Sequence, residues 1–275
     1  MDKDMLRNVQ RAMLDIAREI RRVCDENGIN YFLDSGTLIG AARHKGFIPW
    51  DDDLDIGMLR QEYEKFLRVA PGKLGEEFFL QTWENDEGYS LPFAKVRKKG
   101  TVYVEAVSQG TSARKELFVD VLPYDEMPVQ EELQIKKRKE LHAYCNTLFV
   151  KCGMAPWKHH QNKIKKFLAS IKYIPFRISA FGKTKEQLRQ RCLSAMTEYD
   201  GRGTGLVYEN WGANAGHKLV PIEFFEPYTE IPFEGELFKV PANYDGVLRA
   251  QYGDYMQLPP ENQRENRHQI IEIKL

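Results

Sequence analysis

The chain lacks the features that would carry it across a membrane or onto nucleic acid by charge alone. No stretch approaches the roughly twenty consecutive apolar residues that a spanning helix needs. The opening residues, MDKDMLRNVQRAMLDIARE, mix acid and base and contain no apolar signal core. The expected location is therefore cytoplasmic. Lys and Arg number 40, Asp and Glu also 40, and the formal net charge is zero. No global basic field argues for nucleic acid. Cysteine is scarce: Cys24, Cys145, Cys152 and Cys192 follow neither a zinc-knuckle nor a redox-pair spacing, and read as reduced core thiols. The glycine-rich turn Asp200-Gly201-Arg202-Gly203 lacks the strand–helix frame of a dinucleotide fingerprint, so no such cofactor is assigned.

What the chain does have is concentrated between Asp34 and Met58, DSGTLIGAARHKGFIPWDDDLDIGM. Asp51, Asp52, Asp53 and Asp55 crowd its end, and carboxylates that close repel one another unless something positive sits among them. Leu54, Ile56 and Met58 alternate with Asp53, Asp55 and Gly57, which is the period of a strand. Asp53 and Asp55 would share one face, with Asp51 beside them, while the apolar residues enter the core. Two hard oxygen ligands on one strand edge suit Mg2+ or Mn2+. Upstream, Ser35, Gly36 and Thr37 follow the apolar run Tyr31–Leu33 and precede the helix-like LIGAAR. Gly36 permits close approach of the backbone to a ligand, and a helix beginning there offers free N–H groups to phosphate. The competing reading is a solvated acidic turn ahead of an ordinary strand.

The run GTLIGAARHKGFIPWDDDLDIGM closely resembles the signature of the LicD family of bacterial phosphotransferases, related to the fukutin group. Further matches are Phe118-Val119-Asp120-Val121-Leu122-Pro123, then Tyr252-Gly253-Asp254-Tyr255-Met256 with Leu258-Pro259-Pro260, and His268. The resemblance spans nearly the whole chain. It implies an α+β nucleotidyltransferase fold, a mixed sheet flanked by helices. It also implies transfer of phosphocholine, or a related phospho-alcohol, from CDP-choline or another CDP-alcohol to a glycan. The fold family takes a third metal ligand from an adjacent strand. Asp120 meets that pattern, and a carboxylate amid Phe118, Val119, Val121 and Leu122 is costly unless paired or bound to metal. The family motif places Arg43 and His44 beside the phosphates, and matches Lys95 as a further cation there. Tyr252, Gly253 and His268 would close over the donor. A quaternary ammonium would call for aromatic rings, with Trp50, Trp83, Tyr89 and Trp211 as candidates.

The rest of the chain divides into a catalytic stretch, 1–128, a helical basic stretch, 129–200, and a closing segment, 201–275. Apolar residues every three or four positions predict an amphipathic helix over Lys3–Glu26. Helices are also expected at Arg60–Val69, Glu131–Lys151, Thr184–Tyr199 and Asn243–Gln251. Strands are expected at Phe78–Trp83, Pro92–Val96, Val102–Ala106, Leu117–Leu122, Val207–Trp211, Leu219–Ile222 and Leu237–Val240, with Asp125 in a turn. Between Glu140 and Glu186 there is no acidic residue, while lysines interleave with Ile164, Phe167, Leu168, Ile171 and Phe181. Residues 158–183 fit either a helix lying in an anionic membrane interface, at the inner face of the membrane, or an ordinary lobe with a basic solvent face. The acceptor glycans of such pathways are often lipid-linked, which favours the first.

The expected reaction is in-line displacement at phosphorus, with Asp53, Asp55 and Asp120 at the metal and Asp120 as a candidate acceptor of the hydroxyl proton. Two rivals remain from the residues alone: a nucleotidyltransferase moving NMP onto a small molecule or protein, and a non-catalytic nucleotide-binding module.

Overall fold

The computed structural model describes residues 1–160, 162–209, 219–266 and 268–275. The first helix, α1 (Lys3–Glu26), is capped by Asp2, whose carboxylate accepts from the Met5 N–H at 2.8 Å. Its periodic face, from Leu6 and Val9 to Val23, is buried; Met5 stays partly open. Then come β1 (Phe32–Leu33), α2 (Ser35–His44), β2 (Asp55–Leu59), α3 (Arg60–Val69), β3 (Phe78–Gln81), β4 (Ala94–Lys98), β5 (Val102–Glu105) and β6 (Phe118–Glu126). A helical stretch follows: α4 (Glu131–Lys151), α5 (Lys163–Lys172), α6 (Ile174–Ser179) and α7 (Lys185–Met196). The chain ends with β7 (Leu206–Glu209), β8 (Val220–Pro221), β9 (Tyr228–Phe233), β10 (Glu236–Pro241), α8 (Tyr244–Tyr252) and β11 (Ile270–Lys274).

The architecture is α+β, with a mixed sheet in the order β1-β2-β6-β4-β3, β7 on β6 and β8 on β7. The long strand β6 is its spine. β2 lies parallel along one side of it. On the other side β4 pairs antiparallel with its first half and β7 with its last three residues. In this register Asp55 stands opposite Asp120, and Asp120 opposite Lys95. Register partners present their side chains on the same face of a sheet. Three charged residues from three separate stretches of sequence thus form one row. On the other face Leu54, Ile56 and Met58 are buried, packing into the core that α1 covers.

Asp125 is not in a turn. Pairing with β7 carries β6 on past Pro123 through Glu126, and Asp125 is a fully buried strand residue. Its carboxylate meets Arg60 Nε of α3 at 2.5 Å. Of the β9–β10 hairpin the sequence pattern predicts only Leu237–Val240. Its turn, Glu234-Gly235, holds both residues at positive φ (53° and 82°), the geometry that two-residue hairpins favour. Glutamate is an uncommon occupant of that position, and Pro232 makes the preceding run read poorly as a strand. β11, pairing with β5, was not foreseen.

The closing segment returns to the first. β7 and β8 extend the main sheet, while Phe233, Phe238, Val240 and Leu248 join the core under α1. The helical stretch has a separate cluster around Leu148, Phe149 and Leu188, which includes Cys145, Cys152 and Cys192. All four cysteines are free and buried. Among the described residues no helix is long and apolar enough to cross a membrane.

Candidate active site

The row of charges opens into a cavity of about 320 Å³. Asp51, Asp53 and Asp55 line it from one side, as the strand alternation implies, although β2 proper begins only at Asp55. Asp120 lines it from β6 and Glu209 from β7. Burial first, then the charges of Asp53, Asp120, Glu209 and Asp34, pushes the Asp55 carboxyl well above the usual carboxylate range. Burial also raises Asp120, against the pull of Lys95.

The first turn of α2 forms the opposite wall through Ser35 and Gly36. A helix has no internal acceptor for its first N–H groups; that of Ser35 is held by the Asp34 carboxylate, and those after it are the ones an anion would meet. Two features fix the turn. Asp34, fully buried ahead of the helix, accepts from the Tyr124 hydroxyl at 2.8 Å, and Gln251 donates to Tyr124 in turn at 3.1 Å. Burial pushes the Asp34 carboxyl up to about 6. Thr37 Oγ1 accepts the Asp55 N–H at 2.9 Å, tying the helix start to the strand start. At Gly36 a Cβ would stand 2.8 Å from Asp51 Oδ2, so a side chain there would displace the Asp51 carboxylate that lines the cavity.

The other residues singled out in the sequence are dispersed in role. Tyr252 and His268 line the cavity. Thr37 is buried behind it, as the Asp55 bond requires. Lys95 is buried beneath it, its ammonium 2.7 Å from Asp120 Oδ1 and 3.3 Å from the centre of the Phe118 ring. Arg43 turns to the backbone: its Nη1 donates to the Tyr255 carbonyl at 2.6 Å and its Nε to His44 Nε2 at 2.9 Å. It therefore anchors the turn after α8, and neither Arg43 nor His44 lines the cavity. Burial, then the neighbouring Arg43 charge, lowers the His44 pKa. Gly253 ends α8 at φ 71°, also away from the cavity lining. Of the aromatic candidates, Trp50 lines the cavity, joined by Phe93. Trp83 and Tyr89 are buried in the second cluster instead. Trp211 lies outside the described residues.

His268 Nδ1 lies 3.0 Å from the buried Asp52 carboxylate and 3.9 Å from Asp53. Burial lowers its basicity, but the Asp52 hydrogen bond and the charges of Asp53 and Glu105 outweigh this, and its pKa is pushed up to about 10. A histidine raised in the fold stabilises it fully below its unfolded value, about 6.5, and loses that contribution as pH climbs towards 10. NMR titration of the cation-free protein should find the His268 ring still protonated at pH 8. An ordinary titration near 6.5 would mean the pair is not formed.

Glu209 and Asp34 escaped the sequence reading. Glu209 was foreseen only as part of a strand. Nothing local marks its carboxylate, which reaches the site through β7 pairing with Tyr124. Asp34 opens the aspartate-rich stretch, but by its position it looks like a plain helix cap.

Among the described residues no three acidic, histidine or cysteine side chains already converge closely enough to enclose a metal ion. The donor set nevertheless suits a hard divalent cation. Asp53, Asp55 and Asp120 face one solvent-reaching cavity, and the buried Asp120 Oδ1 is paired with the Lys95 ammonium. Crowded, desolvated carboxylates that favour protons in the absence of a cation are those a cation would relieve.

Residues 28–177 match the family described as LicD/FKTN/FKRP, nucleotidyltransferase domain. The chain is 31% identical over 269 residues to the lipopolysaccharide cholinephosphotransferase LicD of Haemophilus influenzae, covering 98% of this chain and 97% of that one. It belongs to the LicD family. A shorter match, 42% identical over 52 residues, links it to the human ribitol 5-phosphate transferase FKRP, covering 19% of this chain and 10% of that protein. The mouse protein of the same name matches identically in extent. As a member of the LicD family the chain is an enzyme, a phosphotransferase, and the matched region contains β2 and β6, which carry Asp55 and Asp120, and α2, whose first turn lines the same cavity.

Proposed function

We propose that this LicD-family enzyme transfers a phospho-alcohol, phosphocholine or a close analogue, from a CDP-activated donor to a hydroxyl of a cell-surface glycan or its precursor. The observation that carries the reading is the convergence of Asp53, Asp55 and Asp120 on the cavity that the α2 N-terminus also faces. The full-length similarity to a lipopolysaccharide cholinephosphotransferase supports phosphocholine, and the local similarity to a ribitol 5-phosphate transferase supports the broader class.

In this reading Asp53, Asp55 and Asp120 hold Mg2+ or Mn2+, which supplies charge neutralisation at the donor pyrophosphate. Gly36, in the first turn of α2, binds a phosphate oxygen through its backbone N–H group. Protonated His268, fixed by Asp52, adds positive charge on the same cavity wall. Lys95 holds Asp120 in place from below. Trp50 and Tyr252 offer ring faces to the alcohol, which suits a quaternary ammonium. Asp120 accepts the proton of the attacking hydroxyl, and CMP leaves.

A thermal-shift screen with Mg2+ and CDP-choline, CDP-ribitol, CDP-glycerol and a UDP-sugar tests the donor class, since a ligand of the native state raises its midpoint by mass action. A cation-dependent rise with one CDP-alcohol is expected. A rise only with ATP or UTP would favour transfer of a nucleotide instead.

A further inference from the structure

We infer that the outer face of α5 and α6 is a docking surface for an anionic lipid bilayer. α5 buries none of its residues. Ile164, Phe167, Leu168 and Ile171 recur at the spacing of one helical face and are 69, 65, 55 and 44% exposed. Ile178 of α6 and Phe181 just after it extend the patch, at 70 and 91% exposed. An ordinary surface helix turns such a stripe inward. Here other groups anchor the helices. Tyr173 packs on Trp157 and Phe176, Phe176 meets His142 of α4 at 5.7 Å, and Arg177 lies 4.7 Å over Trp157. The apolar stripe is what remains facing out. The helix is also preformed, since Asn162 caps it by accepting from the Ile164 and Lys165 N–H groups.

Charge identifies the occupant. Residues 141–185 contain nine Lys or Arg and no Asp or Glu. At about 100° per residue, Lys163 stands on one flank of the stripe and Lys165 and Lys172 on the other. Among the described residues none of these three forms an ion pair. Apolar side chains between flanking lysines fit an interface where the rings enter the acyl boundary and the ammonium groups reach lipid phosphates. A second copy of the chain is a poor occupant, because two such faces would oppose lysine to lysine with no carboxylate between them. The inference is independent of the donor the cavity takes.

The test is flotation of the full chain with vesicles of pure phosphatidylcholine and of equimolar phosphatidylcholine and phosphatidylglycerol. Binding to the anionic vesicles, weakened by salt and about tenfold or more weaker in Phe167→Glu and Ile178→Glu, is expected. Both variants should keep the wild-type Tm, because the replaced side chains are in solvent. No binding of the wild type to anionic vesicles, or equal binding by both variants, overturns the inference. So does a wild-type dimer in sedimentation that Phe167→Glu splits, since the face would then be covered by protein.

Discussion

Asp55→Asn is expected to abolish transfer, by about a thousandfold or more, while leaving the fold at least as stable as before. The two effects have one cause. Asp55 is buried among Asp53, Asp120, Glu209 and Asp34, so its pKa in the folded state lies well above its unfolded value. A carboxyl raised in this way stabilises the fold below its unfolded pKa, and that contribution is lost as pH rises through the folded pKa. At neutral pH without a cation, the ionised cluster therefore costs stability, and asparagine removes part of the repulsion. Asp34, raised to about 6, adds to the same trend. In EDTA the wild-type Tm should rise as pH falls from 7.5 towards 6, with a flatter profile in Asp55→Asn. Adding Mg2+ should raise the wild-type Tm and leave that of the variant nearly unchanged. An inactive variant that also melts well below wild type would point to a structural role, and an active one would remove Asp55 from the chemistry.

Lys95→Met should destabilise the protein by about 2–4 kcal/mol, because it leaves a buried carboxylate without its counter-charge. Lys95 Nζ is 2.7 Å from Asp120, and their side chains are 4 and 17% exposed. For a chain of this size the loss corresponds to a fall in Tm of roughly 4–16 °C. The deficit should shrink as pH falls, since a protonated Asp120 needs no partner. Lys95→Met with Asp120→Asn should recover more than half of the lost stability and none of the activity. If the double variant is as unstable as the single, Lys95 acts through packing on Phe118 and not through Asp120.

The legible parts of the fold were those with strong local period. α1 announced itself through apolar residues at helical spacing, and β2 through the alternation of Asp53, Asp55 and the buried Leu54, Ile56 and Met58. Asp120 stood out because an acid amid Phe118, Val119, Val121 and Leu122 needs a partner, and the sheet register supplies Asp55 on one side and Lys95 on the other. What could not be read were contacts made between distant segments. Glu209 reaches the cavity only because β7 pairs with the end of β6. Arg43, expected beside the phosphates from the motif, directs its Nη1 to the carbonyls after α8 and its Nε to His44, contacts that no local pattern announces. Trp83 and Tyr89 are ring candidates by composition, but the helical stretch packs over them.

The most direct test of the central claim follows the phosphorus. The enzyme is incubated with Mg2+, the CDP-alcohol that gives the largest thermal shift, and a glycan acceptor, and the products are weighed by mass spectrometry. The account predicts an acceptor heavier by the phospho-alcohol, with CMP released in equal amount and neither product formed by Asp55→Asn. An acceptor carrying CMP would contradict it, and so would transfer undiminished in Asp55→Asn.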